Sequence, residues 1–522
     1  ENRLVADGTC TAADLDAQHE LARDAAAQCC VLLKNANQVL PLNAGQSIAL
    51  IGAFAEKPRF QGAGSSQVRP TQIDTLRAAL GEYTDSITYA AGYDPKRSEP
   101  DQALIDEAVA LAQAAEVAVV FAGLPGIYES EGFDREHMGL PAQHDALIRA
   151  VAAANPRTVV VLANGAPVEM PWVGEVDAVL EAYLGGQAAG GGIADVLMGK
   201  HNPSGKLAET FALQLSDIPS QPWFPGADRQ MQYREGVYIG YRYFDSAQRP
   251  VLFPFGHGLS YTEFAISQAI LSNDTLTAQG PVKLTVEVQN TGALDGAEVV
   301  QVYRHMKHSA LHRPEQELCG FAKVHLAAGA SGSVEIDLAP ECFQVFDHGQ
   351  QRWVLEAGGV ELRIGVSSRD IRLRKMLNVA SVDVPSELAT QVARPEFLPA
   401  DSNPAIAVSD ELFGQMLNGP VPQGEKVRPF HRNSSVGELG QSWLGAKFRA
   451  KMRERFIGGM GLDKADETTR KMFTEMADNM PLRAIVLFQR GKLSYAQIDC
   501  LLALLNGRYL DAARRAWNIW RA

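Results

Sequence analysis

Two glutamates that could carry out acid–base chemistry stand close together in the stretch YESEGFDREHMGLP, residues 128–141. Glu129 and Glu131 follow the apolar run VAVVFAGL, and the pair Asp134 and Arg135 comes just behind them. A carboxyl group in a partly apolar loop can keep its proton near neutral pH, as a general acid requires, if desolvation raises its pKa. On spacing alone, a solvated charged loop with a structural Asp–Arg pair is the simpler interpretation.

A second loop, FQGAGSSQVRPT at residues 60–71, is rich in glycine and follows the apolar run SIALIGAFA. It has neither the Lys-Ser/Thr ending nor the GxGxxG frame of loops that bind nucleotide phosphates. A flavodoxin-like nucleotide-binding domain is therefore disfavoured, and a plain tight turn is the simpler interpretation. The histidines are scattered without the spacing of metal ligands, so the sequence predicts no metal site and no cofactor.

The composition is that of an acidic globular protein. The chain has 522 residues, 46% hydrophobic and 21% charged, which is enough for roughly two to four domains. Its net charge of −13 argues against a nucleic-acid partner, because phosphate binding needs a concentrated Lys/Arg surface. The six cysteines lack CxxC spacing and are expected to be buried free thiols. No apolar run reaches the roughly 18 residues that span a bilayer, so the sequence predicts no membrane contact. A cytoplasmic location is expected, but the chain begins at Glu1, so the missing leader does not decide the compartment.

Apolar strands alternate with amphipathic helices in the first part of the chain. Residues 12–35 have the spacing of a helix, and later Val/Ile/Leu runs such as VAVVFAGL, RTVVVLANG and VDAVLEAYLGG lie between helix-like stretches. Continuous apolar strands between amphipathic helices predict an α/β sandwich domain with a mainly parallel sheet. Ligands collect at the carboxyl ends of such strands, where the loop with the two glutamates is expected.

The pattern changes after FPFGHGLSYTEF, residues 253–264. Apolar and polar residues then alternate in VKLTVEVQNTG, AEVVQVYRHM and SGSVEIDLA, which predicts a β-sandwich of the immunoglobulin or fibronectin kind. A stretch with Pro, Ala and Ser indicates a linker, and the Met- and Arg-rich end has helical periods. The predicted organisation is an α/β domain with its N-terminal linker helix over 1–240, a connector over 241–265, a fibronectin type III-like domain over 266–380, a linker over 381–435 and a small helical region over 436–522.

Four stretches in one order resemble a known family. YESEGFDREHMGLPAQHDALIRAV, GGQAAGGGIADVLMGKHNPSGKLAETF, FPFGHGLSYTEF and RPEQELCGFAKVHLAAGASGSVEIDLAPECFQVFD are together similar to the second half of bacterial family 3 glycoside hydrolases of the β-glucosidase type. The resemblance covers roughly residues 12–375, and the helical end resembles an appendage found on some members. It implies a retaining glycosidase that releases terminal non-reducing β-D-glucosyl residues from oligosaccharides or β-glucosides.

The resemblance also implies roles for the charged loop. Retaining hydrolysis uses a carboxylate nucleophile and a carboxyl group that acts first as acid and then as base, about 5 Å apart. In the family the acid/base is a glutamate on a loop of the α/β sandwich domain. Glu131 in EGFDR is the residue implied for that role and Glu129 is its competitor, with Asp134 and Arg135 orienting the loop or forming only a salt bridge or cap.

The nucleophile is expected outside this chain. In the family it is an aspartate, typically in Ser-Asp-Trp, on a (β/α)-barrel that precedes the sandwich domain, and no Ser-Asp-Trp occurs here. A barrel, in cis or on another chain, is therefore an expected partner, and the isolated chain is expected to be nearly inactive. Ser65, Ser66 and Arg69 would lie near the barrel's mouth on the aglycone side. The alternative is a non-catalytic module that binds carbohydrate or stabilises a partner; association with a second copy is left open.

Overall fold

The computed structural model describes residues 12–226, 230–309, 311, 313–386, 408–424, 426–459, 462, 466–488 and 493–521. The first domain is built on six strands: β1 (Val31–Asn35), β2 (Ile48–Ile51), β3 (Ile87–Ala90), β4 (Val117–Gly123), β5 (Thr158–Ala163) and β6 (Ala178–Glu181). Their order is β1-β6-β5-β4-β2-β3, and every neighbouring pair is parallel except β1 with β6. Strands β2, β4, β5 and β6 are buried along their whole length, which explains their uninterrupted apolar runs. The predicted mainly parallel sheet is confirmed.

Helices alternate with these strands. They are α1 (Ala12–Cys29), α2 (Leu76–Leu80), α3 (Gln102–Ala114), α4 (Ala142–Ala154) and α5 (Ala189–Leu197). The expectation of one helix over 12–35 is wrong in its last part, because the chain enters β1 after Cys29. Val31, Leu32 and Leu33 are consecutive and all buried, which an edge strand paired with β6 achieves and an amphipathic helix does not.

The second domain is the expected fibronectin type III-like β-sandwich. Its strands are β7 (Phe264–Leu271), β8 (Thr275–Leu276), β9 (Val282–Asn290), β10 (Gly296–His305), β11 (Glu317–Leu326), β12 (Ser331–Leu338), β13 (Gln344–Asp347), β14 (Arg352–Leu355), β15 (Gly358–Gly365) and β16 (Ile371–Val379). A five-stranded sheet has the order β11-β10-β15-β16-β8, a three-stranded sheet has the order β12-β9-β7, and β13 pairs with β14 in a two-stranded sheet. Buried and exposed residues alternate along β9 and β12, as the period-two pattern predicts. Helix α6 (Tyr241–Ser246) lies in the connector.

The remaining helices are α7 (Asp410–Leu417), α8 (Trp443–Gly459), α9 (Glu467–Asn479), α10 (Leu482–Phe488), α11 (Tyr495–Leu505) and α12 (Tyr509–Arg521). Helix α7 lies inside the segment predicted as a linker, of which residues 387–407 are outside the described residues. Its Phe413 packs in one apolar cluster with Tyr238 and Tyr243, and Arg234 donates a 2.7 Å hydrogen bond to the carbonyl of Val408. The helical end has an apolar core of its own. The predicted helical region is confirmed.

Candidate active site

The loops that leave the parallel strands meet at one edge of the sheet. The glycine-rich loop follows β2, the loop with the two glutamates follows β4, and Gly165 lies just beyond the end of β5. Because β2, β4 and β5 run parallel, their carboxyl ends lie side by side. The sheet thereby brings together side chains that are far apart in sequence.

Glu131 is exposed and is held by the glycine-rich loop. One carboxylate oxygen accepts a 2.7 Å hydrogen bond from the backbone N–H of Ser65, and the other accepts a 2.8 Å bond from the Ser65 hydroxyl. Gly64 has φ +104°, and a Cβ there would stand 2.4 Å from Oε2 of Glu131. Only glycine therefore fits beside this carboxylate without displacing it.

The expected rise in the pKa of Glu131 is not found. The two hydrogen bonds from Ser65 lower the pKa of Glu131, since both favour the ionised form, and solvent exposure leaves desolvation as a minor opposing effect. The described residues therefore stabilise the base form of this group. A raised pKa, as a general acid needs, requires additional groups near the carboxyl.

Glu129 is less exposed than Glu131 and contacts a different loop. Its two carboxylate oxygens lie 2.9 and 3.1 Å from the backbone N–H of Gly165, and Oε2 lies 3.8 Å from Nη2 of Arg59. Arg59 also donates to the carbonyls of Glu129 and Leu124, at 3.0 and 3.2 Å. Burial lowers the pKa of Arg59. Glu129 thus ties the loop after β4 to the loop after β5.

The other predicted site residues are only partly brought together. Arg135 donates a 3.1 Å hydrogen bond to the carbonyl of Pro167, and no ion pair joins it to Asp134, although the structure describes both side chains. Asp134 is exposed. Ser66 and Arg69 are exposed on the same loop as Ser65, which alone of the three contacts a glutamate of the site among the described residues.

Glu209 is a carboxyl group of this region that the sequence analysis missed. Burial raises its pKa to about 7, the nearby carboxylate of Glu129 adds to the rise, and the guanidinium of Arg135 opposes it. In the sequence Glu209 stands in KLAETF, about eighty residues beyond Glu129, where nothing in its spacing distinguishes it. Only the fold brings the Glu209 carboxyl group close to Glu129 and Arg135 of the charged loop.

We expect Glu209→Gln to flatten the pH dependence of stability. Because the folded-state pKa of about 7 lies above the usual value of 4.5, the folded chain binds more protons than the unfolded chain between these pH values. Stability is therefore lost as pH rises through that window, and glutamine removes this loss. The melting temperature of the wild-type chain should fall between pH 5 and 8 by roughly 2 °C or more beyond the fall in the variant. The expectation would be contradicted if the melting temperature fell equally with pH in the wild type and in Glu209→Gln. The same effect in Glu107→Gln, at an exposed control position, would also contradict it.

A cleft of about 640 Å³ opens beside the charged loop. Its walls include Arg59, Tyr128, Asp134 and Arg135 from the α/β domain, together with residues 466–468 and Lys471 at the start of α9. Neither Glu129 nor Glu131 is among the residues that line this cleft. Within the described part of the chain, no three His, Cys, Asp or Glu side chains cluster as metal ligands would. Nor does any described helix combine the length and apolar character needed to cross a bilayer.

The fold is an α/β domain with two carboxylates at the carboxyl edge of its parallel sheet, joined to a fibronectin type III-like domain. Residues 30–261 match the family model described as the glycosyl hydrolase family 3 C-terminal domain, and residues 298–368 match the fibronectin type III-like domain. The chain thus carries the C-terminal domain of glycosyl hydrolase family 3.

Several curated relatives and solved structures are similar to this chain. Thermostable beta-glucosidase B of Acetivibrio thermocellus is 40% identical over 497 residues, which are 94% of this chain and 60% of that protein. An exo-alpha-(1->6)-L-arabinopyranosidase of Bifidobacterium longum is 42% identical over 69% of this chain and 48% of its own length. The solved GH3 beta-glucosidase of Bifidobacterium adolescentis is 39% identical, with a TM-score of 0.67 over 74% of this chain and 57% of that one. The chain thus spans about half to three-fifths of the length of these relatives.

Proposed function

We propose that this chain supplies the acid/base side of the active site of a retaining, β-glucosidase-type glycoside hydrolase, with Glu131 as the acid/base. The observation that carries the proposal is the exposed Glu131 carboxylate, held by Ser65 at the carboxyl edge of the sheet in a family 3 C-terminal domain. An acid/base must be exposed on this domain so that the glycosidic oxygen of the substrate can contact its carboxyl group. Glu131 is open to such an approach.

Glu129 is less suited to this role. Both of its carboxylate oxygens accept the Gly165 N–H, and Arg59 donates a hydrogen bond to its backbone carbonyl. A proton donor must exchange its proton with substrate and then with water, and the Glu129 side chain, only 20% exposed, is less open to both than the exposed Glu131. We assign Glu129 to positioning of the loop on which Glu131 stands, with the Arg135 contact to Pro167 as a second brace.

The acid form of Glu131 needs a partner carboxylate. In a retaining enzyme the nucleophile lies about 5 Å from the acid/base, and a like charge at that distance raises the pKa of the neighbouring carboxyl group. Closure of the site around a sugar adds desolvation, which acts in the same direction. A barrel domain that bears the nucleophile would supply both effects. The Ser65 hydrogen bonds then favour the base form that activates water in the second step.

The test is to follow the coding DNA upstream of Glu1 and to assay the complete polypeptide. We expect a barrel-like strand–helix repeat with a candidate aspartate. The complete polypeptide should hydrolyse an aryl β-D-glucoside and release the β-anomer first, as followed by NMR, whereas the 522-residue chain alone should be nearly inactive. A panel with an aryl β-D-xyloside and an aryl α-L-arabinopyranoside identifies the glycone. Saturable binding of glucose or cellobiose by a complete polypeptide that hydrolyses none of the panel would favour a binding module instead.

A further inference from the structure

Helix α9, near the end of the chain, packs directly on the Glu131 loop. The ammonium group of Lys471 donates a 3.3 Å hydrogen bond to the carbonyl of Ile127 and lies 4.1 Å from the centre of the Phe133 ring. A lysine that caps a loop carbonyl and rests on an aromatic face restrains both the backbone and the side chain that it contacts. Lys471 thus holds the loop on both sides of Glu131, from a position 344 residues beyond Ile127.

The same helix approaches the residue that follows Glu131. Gly132 has φ +86°, and a Cβ built on it would lie 3.1 Å from both the backbone carbonyl oxygen of Met472 and Cγ of Met476. The loop backbone and the helix are therefore in close contact at this point. Together with Lys471, these methionines place α9 against residues 127, 132 and 133 of one loop.

Helix α9 is itself anchored to α8 through its last turn. Asp478 in its last turn accepts hydrogen bonds from Nε of Arg449 and Nε of Arg453, at 3.1 and 2.7 Å, and both arginines belong to α8. The Asp478 side chain is only 8% exposed, so these charge-assisted bonds are partly shielded from water. At its start, Asp466 accepts the N–H of Thr469 as a helix cap. The loop is thus supported by a helix that is capped at its start and tied to α8 at its end.

We infer that the C-terminal helical region is a positioning element of the acid/base loop, with Lys471 as its principal positioning residue. It also forms one wall of the 640 Å³ cleft through residues 466–468 and Lys471. The catalytic part of this inference rests on the proposed function of Glu131. The structural part, that α9 restrains the loop, does not.

Hydrogen exchange of the 522-residue chain tests the structural part. Lys471→Met keeps the length and apolar stem of the side chain but removes its charge and its donors. We expect peptides covering residues 125–136 to exchange several-fold faster in this variant, because Ile127 and Phe133 lose their restraint. Lys471→Arg, which keeps the charge and N–H donors, should restore slow exchange. Arg470→Met is the matched control, since this neighbouring side chain of α9 is exposed. Unchanged exchange in Lys471→Met, with the melting temperature also unchanged, would overturn the inference.

Kinetics of the complete polypeptide test the catalytic part. For a β-glucoside with a poor leaving group, Lys471→Met should lower kcat roughly 10-fold with KM changed little, because misplacing a proton donor affects the chemical step more than binding. Arg470→Met should leave both values unchanged. Faster exchange with an unchanged kcat would overturn the positioning role. A complete wild-type polypeptide that hydrolyses no glycoside would instead refute the proposed function, while the exchange result would still decide whether α9 supports the loop.

Discussion

Glu131→Gln in the complete polypeptide is expected to lower kcat on a β-glucoside with a poor leaving group by roughly 10²–10⁴-fold. Glutamine keeps the size of the side chain, and its amide oxygen can still accept the Ser65 N–H while its NH2 group donates to the Ser65 hydroxyl. It neither donates a proton to the leaving oxygen nor activates water. A substrate whose leaving group departs without protonation should be affected much less in the first step. Steady-state rates over a series of aryl β-glucosides of increasing leaving-group pKa measure this difference.

Azide provides a second readout of the same variant. Attack of water on a glycosyl-enzyme needs a base, whereas azide is already anionic and needs none. Azide should therefore accelerate turnover of an activated substrate by Glu131→Gln and yield a β-glycosyl azide, with little effect on the wild-type rate. Glu136→Gln, an exposed glutamate of the same loop, is the matched control. If Glu131→Gln kept the wild-type rate on the poor leaving group, the acid/base assignment would be refuted. If Glu129→Gln instead showed both the lower rate and the acceleration by azide, Glu129 would be the acid/base.

Asp195→Ala is expected to destabilise the α/β domain by about 3 kcal/mol. Asp195 in α5 accepts hydrogen bonds from Nε and Nη2 of Arg23, at 3.0 and 2.7 Å, and from the hydroxyl of Tyr83. Removal of its carboxylate leaves the guanidinium of Arg23 with one exposed partner, Glu82 at 3.0 Å. The Arg23 side chain is only 11% exposed, so the loss of its buried partner is costly.

The pH dependence of this effect has a defined sign. The hydrogen bonds from Arg23 and Tyr83 lower the pKa of Asp195 despite its burial. The stabilisation is therefore present above the usual aspartate pKa of 3.8 and is lost as pH falls through the lower, folded-state pKa. Urea titration at pH 7 should show the full difference between wild type and variant, which should shrink in acid. Asp24→Ala, at an exposed residue of α1 next to Arg23, should cost well under 1 kcal/mol. A similar loss for both variants would contradict this expectation.

The structure also gives a reason for the close contact of α1 with α5. A Cβ on Gly191 would stand 2.8 Å from the Arg23 side chain, and one on Gly192 would stand 2.8 Å from the backbone nitrogen of Ala27. The glycines in the sequence GGG thus allow the two helices to approach until Arg23 reaches Asp195. The glycine-rich stretch serves helix packing at this point.

The sequence by itself determined the class of each domain. Uninterrupted apolar runs between amphipathic helices can be buried only in a parallel sheet covered on both faces, and period-two alternation suits a sandwich with one wet face. These are local patterns, so the chain displays them without its tertiary contacts. The motif EGFDR likewise marked the Glu131 loop, because its position after a buried strand follows from local sequence.

Only the tertiary structure decided the environment of that loop. Residues 31–35 form a strand because they pair with β6, which is about 150 residues away. Their local spacing alone is also compatible with a helix. The pKa of Glu131 depends on hydrogen bonds from Ser65, and the pKa of Glu209 depends on burial. Neither cause can be read from the neighbouring sequence. Lys471 meets Ile127 across most of the chain. Hydrogen bonds and electrostatic effects act over a few ångströms of space whatever the separation in sequence, and so the fold alone could assign them.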